Sequence, residues 1–305
     1  MKIAIVGAGG IGGYLTAKLE TAGTRVALLA RGEHLAAMQR DGLRLIDPEG
    51  DLTVRPDALT DNPEEIGTPD LIILATKAHQ LAEAIEQIKP AVGESTRVLT
   101  FQNGVDAPDM VAETFGRGRA LMGVALILAN ITAPGVITRY GKPRAFIFGD
   151  MDGQQDPVAD IREVLTSAGI MSANHPDVRV ALWEKLVLFN AGSSITAGTR
   201  LRVGEIRKDP AACALARRLM EETYAVAVAS GVPLPEDTVD KQFHVFKEVM
   251  PPEARTSTAH DLEGGRPLEI DFLCGAIARR GRELGLDVSA SETAYALLSP
   301  WKNGR

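Results

Sequence analysis

The amino-terminal stretch MKIAIVGAGGIGGYLTAKL places five glycines between an apolar strand and a predicted helix. Gly7, Gly9 and Gly12 match the pattern G-x-G-x-x-G, in which the first glycine makes a tight turn out of the strand. The second has no Cβ, so a pyrophosphate can approach the backbone, and the third lets the helix pack closely against the sheet. Free N–H groups at the helix start, together with the helix dipole, favour phosphates. The same predicted loop contains Ala8, Gly10 and Ile11. The stretch therefore predicts a dinucleotide site.

The end of the second predicted strand bears on which dinucleotide binds. NAD-selective sites usually carry an acid there for the ribose 2′-hydroxyl, whereas this sequence reads LLARGEH with Arg31. A guanidinium binds a 2′-phosphate through paired hydrogen bonds, and an acid would repel it. We therefore expect NADP(H) rather than NAD(H). The alternative is a solvated loop arginine.

Two further polar side chains follow predicted strands. Lys77 comes just after LIILAT and Asn103 just after RVLTF. Ligands of doubly wound sheets bind beyond the carboxyl ends of the strands, so we expect both residues in the site. Asn103 can offer a donor and an acceptor together, although Asn103-Gly104 is also a common turn sequence.

The stretch RVALWEKLVLFNAG surrounds Lys185 with apolar residues. Burying an ammonium is costly unless it is paired or functional, and such a lysine often serves as an acid or base. The alternative is a lysine that extends its charged end to solvent from an amphipathic helix. Later in the chain, Ser257 and Asp261 are four residues apart and share a predicted helix face, and Glu269 opens the following helix. Glu269 either serves the helix dipole or points its carboxylate into the site.

The elements that must position these residues fall into two classes. Residues 1–175 alternate short β-branched strands with helical stretches, which predicts an α/β Rossmann-type domain with a parallel sheet. A hairpin follows the second helix, later strands extend the sheet, and GIMSANH reads as a closing strand. Residues 176–305 carry almost no strand signal and predict an all-helical domain. We place the boundary near residues 173–177.

Composition limits the possible partners. The net charge of −7 comes with no basic block, which argues against nucleic acid or an anionic membrane surface. The first residues read as a strand rather than a leader peptide, and no apolar run is long enough to cross a bilayer. Two cysteines far apart in the sequence indicate a reduced, cytoplasmic setting. We expect a small-molecule substrate and no metal. Whether the chain forms a homodimer is left open by the sequence.

Taken together, these pieces resemble the ketopantoate reductase family (2-dehydropantoate 2-reductases) over essentially the full chain. The resemblance rests on the following segments: GAGGIGGY, LAR with Arg31, TKAHQ with Lys77, QNG with Asn103, LWEKL with Lys185, and TSTAHDLEGGRPLEID with Ser257, Asp261 and Glu269. The order and spacing of these elements are more specific than the glycine pattern alone.

The resemblance implies that NADPH delivers a hydride to the carbonyl carbon of a 2-oxo acid in a cleft between two domains. Lys185 would then protonate the developing alkoxide, and Glu269 would orient a substrate hydroxyl or the nicotinamide ribose. Ser257 would hold the substrate, Asp261 would support that helix face, and Ala129 falls where the family makes a backbone contact to the cofactor. The implied reaction is ketopantoate to pantoate, a step of pantothenate and coenzyme A synthesis.

One departure concerns the helix of Lys185. Characterised relatives carry asparagines four and eight residues after the lysine, where this chain has Phe189 and Ser193, and Asn190 points elsewhere on the helix. A more apolar site would suit a bulkier or less polar 2-oxo acid. One rival function is therefore a related reductase or dehydrogenase that acts on another 2-oxo acid, an opine-type imine or a β-hydroxyacid. The other is a dinucleotide-binding sensor without catalysis.

Overall fold

The computed structural model describes residues 1–141 and 145–305. The chain divides into two compact units. The first unit contains Met1–Gln102 and Ala107–Val178, and the second contains Asn103–Asp106 and Arg179–Arg305. The short segment that holds Asn103 thus groups with the helices of the second unit, although it follows a strand of the first.

The first unit is built on two sheets. Its strands are β1 Ile3–Val6, β2 Val26–Leu29, β3 Leu43–Ile46, β4 Leu52–Val54, β5 Ala58–Thr60, β6 Leu71–Leu74, β7 Arg97–Thr100, β8 Ala120–Ala125, β9 Leu128–Ala133, β10 Val136–Tyr140 and β11 Phe146–Asp150. The main sheet has the order β11-β8-β7-β6-β1-β2-β5 and is parallel except for β11. Strand order reverses at β1, the place where α/β sheets bind ligands.

The helices of the first unit are α1 Gly10–Thr21, α2 Gly32–Asp41, α3 Leu81–Ile88, α4 Ala107–Phe115 and α5 Ala159–Ser167. Strands β1 and β6 are buried along their whole length because helices cover both faces of a parallel sheet. The second sheet, β4-β3-β10-β9, packs on α1, where a Cβ at Gly13 would lie 2.6 Å from Ile137. A buried Arg139–Asp47 ion pair, 2.8 Å from Nε to Oδ2, joins β10 to the end of β3.

The second unit is helical in the part of the chain that the structure describes. Its helices are α6 Val178–Thr199, whose first residue belongs to the first unit, α7 Val203–Ile206, α8 Pro210–Ala229, α9 Thr238–His244, α10 Ser257–Glu263, α11 Cys274–Glu283 and α12 Ser289–Leu298. A π-helical turn at Val245–Val249 extends α9. Asn190 on α6 is fully buried and donates to the Thr223 hydroxyl on α8 over 3.0 Å.

The predicted fold class is confirmed: a mixed α/β amino-terminal part precedes helices. Two details of the strand prediction are wrong. Strands β9 and β10 do not extend the main sheet, because they pair with β3 and form the second sheet. GIMSANH forms only one bridge, Ser172 to Phe146, rather than a closing strand. No helix among the described residues has both the length and the apolar character to span a bilayer.

Candidate active site

The glycine-rich loop lies directly after β1, and each of three glycines is required by a neighbouring atom. Gly7 has a φ of +99°, and a Cβ there would lie 2.9 Å from the backbone nitrogen of Thr76. A Cβ at Gly12 would lie 1.9 Å from the carbonyl oxygen of Gly7, and one at Gly10 would lie 1.9 Å from that of Ala129. Larger residues at these three positions would therefore break the loop or separate it from the second sheet.

Gly9 differs from these three. Its backbone is extended, with a φ of −71°, which any residue can adopt. The nearest atom to a Cβ there is the Ala75 carbonyl oxygen, at 3.9 Å. Gly9 is also the N-cap of α1, and no side chain caps that helix start. Neither backbone strain nor packing within the protein explains this glycine, whereas the close approach of a pyrophosphate does, so the loop fits a dinucleotide.

The other predicted residues of this region surround the same loop. Ala8 is buried, and Ile11 packs half-buried against the apolar core of the first unit. Ala129 on β9 contributes the carbonyl that faces Gly10. Lys77 is exposed and begins a 3₁₀ turn, three residues after the end of β6.

Arg31 lies at the N-cap of α2, after the end of β2. Its side chain is 63% exposed, and its guanidinium faces the carboxylate of Glu83 at 3.4 Å. An exposed pair at this distance contributes little to stability, typically below about 1 kcal/mol. The guanidinium is therefore available to an anion that can compete with Glu83.

The structure brings three predicted residues of the second unit together. The Lys185 ammonium donates to the Asn103 side-chain oxygen over 3.0 Å, and the Asn103 amide nitrogen donates to a Glu269 carboxylate oxygen over 3.3 Å. Asn103 therefore uses its acceptor for the cation and its donors for the anion. Glu269 is 4% exposed, so this carboxylate is buried.

Lys185 lies in the middle of α6 and is half-buried among apolar residues. Desolvation lowers the pKa of Lys185 to about 8, and the charge of Glu269 partly opposes that shift. An ammonium with this pKa is still mostly protonated at neutral pH and gives up its proton far more readily than an ordinary lysine. The site therefore holds a proton donor suited to neutral pH.

The segment that carries Asn103 is anchored by residues that sequence reasoning missed. Asp106 accepts from Arg279 over 2.8 Å and from Arg280 over 2.9 Å, both on α11. Gly104 has a φ of +96°, and a Cβ there would lie 2.3 Å from the Phe272 carbonyl oxygen. The Asn-Gly dipeptide signalled the turn, but nothing in the local sequence links Asp106 to arginines more than 170 residues away.

Phe189 and Ser193 follow Lys185 by one and two turns of α6. The Phe189 ring centroid is 5.8 Å from the Lys185 ammonium. The Ser193 side chain is buried, and its hydroxyl has no hydrogen-bond partner among the described residues. A buried hydroxyl without a partner costs about 1–3 kcal/mol, so this one is a candidate for a ligand contact. Asn190 faces α8 instead, as its position on the helix predicts.

Ser257 and Asp261 lie one turn apart on α10. Ser257 is the half-buried first residue of that helix. The Asp261 carboxylate is buried and accepts from Arg266 over 2.7 Å. This ion pair fixes the turn after α10 and leaves Asp261 in a supporting position.

Comparisons with known proteins identify the family of this chain. The family described as "Ketopantoate reductase PanE/ApbA" matches residues 3–153, and the family of its C-terminal part matches residues 177–302. The chain belongs to the ketopantoate reductase family. The family resemblance predicted from the sequence motifs is thus confirmed.

Individual members of the ketopantoate reductase family are similar along their whole length. A 2-dehydropantoate 2-reductase of Mesorhizobium japonicum is 35% identical, with 98% of this chain and 97% of the relative covered. The crystal structure of a PanE/ApbA family ketopantoate reductase from Ralstonia eutropha has a TM-score of 0.90 at 33% identity, covering 99% and 98% of the two chains. A D-mandelate dehydrogenase solved with NADH and anilino(oxo)acetate shares the fold, at 21% identity and a TM-score of 0.88, covering 99% and 98%.

Proposed function

We propose that the protein reduces a 2-oxo acid with NADPH and that 2-dehydropantoate (ketopantoate) is the leading substrate. The observation that carries the proposal is the contact of Asn103 with both Lys185 and Glu269, which holds a desolvated ammonium ready to donate a proton. Membership of an oxidoreductase family supports the reaction class, and relatives named 2-dehydropantoate 2-reductase support the substrate.

Residues 1–175 would bind the dinucleotide. The open space at Gly9 and the uncapped start of α1 suit a pyrophosphate, and Arg31 suits the 2′-phosphate that distinguishes NADPH from NADH. Lys77 and the Ala129 backbone, both at the edge of the same loop, would contact the cofactor. The reduced nicotinamide supplies a hydride when it is bound.

Residues 176–305, together with Asn103, would carry the substrate chemistry. Hydride addition to a carbonyl carbon leaves an alkoxide, and Lys185 would give its proton to that oxygen. Its positive charge would also stabilise the oxygen before the proton is transferred. Asn103 limits the directions in which the ammonium can point, because one of its three N–H bonds is already directed to the amide oxygen.

Glu269 would orient a hydroxyl of the substrate or of the nicotinamide ribose, since a buried carboxylate accepts strongly from such groups. Ser257 would hold the substrate, Asp261 would support α10, and the unpartnered Ser193 hydroxyl would take a polar group of the substrate. Reduction of ketopantoate would place the protein in pantothenate and coenzyme A synthesis. A cytoplasmic location and a homodimer stay predictions.

A second candidate substrate follows from Phe189. Its ring lies beside the proposed proton donor, where it offers apolar contact rather than a hydrogen bond. This favours a bulkier or less polar 2-oxo acid over ketopantoate. A dinucleotide sensor would need the glycine loop but not the Lys185–Asn103–Glu269 contacts, which therefore favour an enzyme.

The test is a panel of 2-oxo acids, comprising ketopantoate and branched aliphatic and aromatic homologues, each assayed with NADPH and with NADH. We expect turnover with NADPH and the highest kcat/KM for ketopantoate. A higher kcat/KM for a 2-oxo acid that lacks the hydroxyl group of ketopantoate would favour the second candidate substrate. Dinucleotide binding without turnover of any 2-oxo acid would contradict the proposal and favour the sensor.

A further inference from the structure

His34 on α2 forms two hydrogen bonds that connect the glycine-rich loop to the second sheet of the same unit. Its Nε2 lies 2.9 Å from the Ala8 carbonyl oxygen, and the Gly135 backbone N–H donates to its Nδ1 over 2.8 Å. A carbonyl can only accept, so Nε2 must carry the proton. A backbone N–H can only donate, so Nδ1 must be bare. One neutral tautomer alone satisfies both contacts.

The bond to Ala8 fixes the direction of a neighbouring donor. The Ala8–Gly9 peptide is trans, and in a trans peptide the carbonyl and the next N–H point in opposite directions. With the Ala8 carbonyl held toward His34, the Gly9 N–H is aimed away from that ring. Without this bond the peptide could rotate cheaply, because glycine accepts both signs of φ.

The other end of the connection is also fixed. Gly135 lies in the turn between β9 and β10, and its carbonyl accepts from the Arg44 backbone on β3 over 2.9 Å. A Cβ at Gly135 would lie 3.2 Å from the Ala37 Cβ, so the turn packs closely on α2. His34 therefore ties the loop to the turn between β9 and β10, which is itself hydrogen-bonded to β3 and packed on α2.

We infer that His34 is a positioning residue for dinucleotide binding, which orients the Ala8–Gly9 peptide toward the pyrophosphate and is itself anchored to Gly135 only while its ring is neutral. The inference rests on the proposed function, because it requires that the glycine-rich loop binds a dinucleotide. Protonation of Nδ1 removes the acceptor for the Gly135 N–H and so breaks one of the two bonds.

The surroundings of His34 favour the neutral ring. Partial burial lowers its pKa, although the hydrogen bond to Ala8 works in the opposite direction. Neither the glycine loop nor the turn at Gly135 contains a titratable side chain. The nearby elements carry few charged groups. Strand β10 carries Tyr140 and Arg139, and Arg139 is paired with Asp47. Helix α2 carries Glu33, close in sequence to Arg31. At neutral pH the connection is therefore intact, and it weakens only when the pH falls through the lowered pKa of His34.

The test compares NADPH dissociation constants of the wild type, His34→Ala and His34→Gln between about pH 5 and pH 8. The amide of glutamine can donate to Ala8 and accept from Gly135, but it does not titrate. We expect His34→Ala to bind NADPH about tenfold more weakly at neutral pH. This loss corresponds to about one hydrogen bond between the protein and NADPH. His34→Gln should recover the affinity to within about threefold. At saturating NADPH the kcat of both variants should match that of the wild type.

The pH profile separates positioning from mere stability. Wild-type affinity should fall by up to about tenfold in total as the pH falls through the pKa of His34, and His34→Gln should lack this fall. The 2′-phosphate of NADPH itself titrates near pH 6. Because this titration affects both proteins equally, it cancels in the ratio of their NADPH dissociation constants. Gln39→Ala, on the exposed face of α2, is the matched control and should bind as the wild type does.

Two results would overturn the inference: a dissociation constant of His34→Ala within about twofold of the wild type, or an acid loss in His34→Gln equal to that of the wild type. If His34→Ala does not fold, the pH profile of His34→Gln decides alone. Failure of the wild type to bind any dinucleotide would refute the proposed function, and this inference with it.

Discussion

Gly9 gives a prediction in which binding should be lost while stability is kept. Its φ of −71° is open to every residue, and the nearest atom to a Cβ is 3.9 Å away. Gly9→Ala therefore fits the folded protein without strain, and Gly9→Val should also be tolerated there. Both side chains occupy the place where we propose that the pyrophosphate approaches the backbone.

The expected magnitudes follow from these contacts. Replacing an unstrained glycine by alanine stabilises a protein by about 0.4–1 kcal/mol, because the unfolded chain loses conformational freedom. Alanine is a poorer N-cap than glycine by a similar amount, so the two effects nearly cancel at the N-cap Gly9 and the Tm should change by less than about 4 °C. Displacing the pyrophosphate from one or two backbone N–H groups removes charge-assisted hydrogen bonds of about 1.5–3 kcal/mol each, so NADPH should bind about 10- to 100-fold or more weakly.

The assay is thermal unfolding together with NADPH titration of the same preparations. Gly118→Ala is the matched control, because Gly118 has no positive φ and no atom lies within 4 Å of its Cβ position. The control should keep its NADPH affinity. A Tm lowered by more than about 4 °C in Gly9→Ala would show that the protein itself requires this glycine. Unchanged NADPH affinity in Gly9→Val would place the dinucleotide elsewhere.

Three further predictions concern the cofactor, the proton donor and the substrate. Arg31→Ala should weaken NADPH binding by about 1.5–3 kcal/mol and leave NADH binding unchanged, whereas equal losses for both cofactors in titrations would exclude a 2′-phosphate contact. The pKa of Lys185 is about 8 in the folded protein and about 10.4 in the unfolded chain. Between these two pH values the unfolded chain therefore binds more protons than the folded protein. Chemical denaturation should therefore show wild-type stability rising relative to Lys185→Met across that interval, by roughly 3 kcal/mol at most, and parallel curves would contradict the lowered pKa. Phe189→Asn should raise kcat/KM for ketopantoate relative to a wholly apolar 2-oxo acid by about tenfold, and an unchanged ratio would remove Phe189 from the substrate site.

Features set by local patterns could be predicted from the sequence. The strand–glycine–helix junction at β1 and α1 follows from residue types over fewer than 20 positions, and the apolar period of α6 gives its limits, Val178–Thr199, directly. The assignment of Arg31 to a strand end used the same local logic. The contributions of the glycine-rich loop, of α6 and of Arg31 to function stay predictions.

Long-range pairing could not be predicted in this way. Strands β9 and β10 have the same alternation whether they join the main sheet or the second one, and only their pairing with β3 decides this. Asn103 meets Glu269 across 166 residues of sequence, and its loop is held by Asp106 with two arginines of α11. His34 looked like an ordinary residue of a helix start, because its two partners are backbone groups of distant segments.

The most direct test of the central claim is the kcat of Lys185→Ala with NADPH and ketopantoate, or with the best substrate of the panel. Without the ammonium, the alkoxide has no proton donor, so kcat should fall by about 10²–10⁴-fold. The NADPH dissociation constant of the folded variant should stay close to that of the wild type, since the glycine loop and Arg31 are unchanged. A fall in kcat smaller than about tenfold would contradict the account, because general-acid catalysis by Lys185 would then contribute little to the reaction.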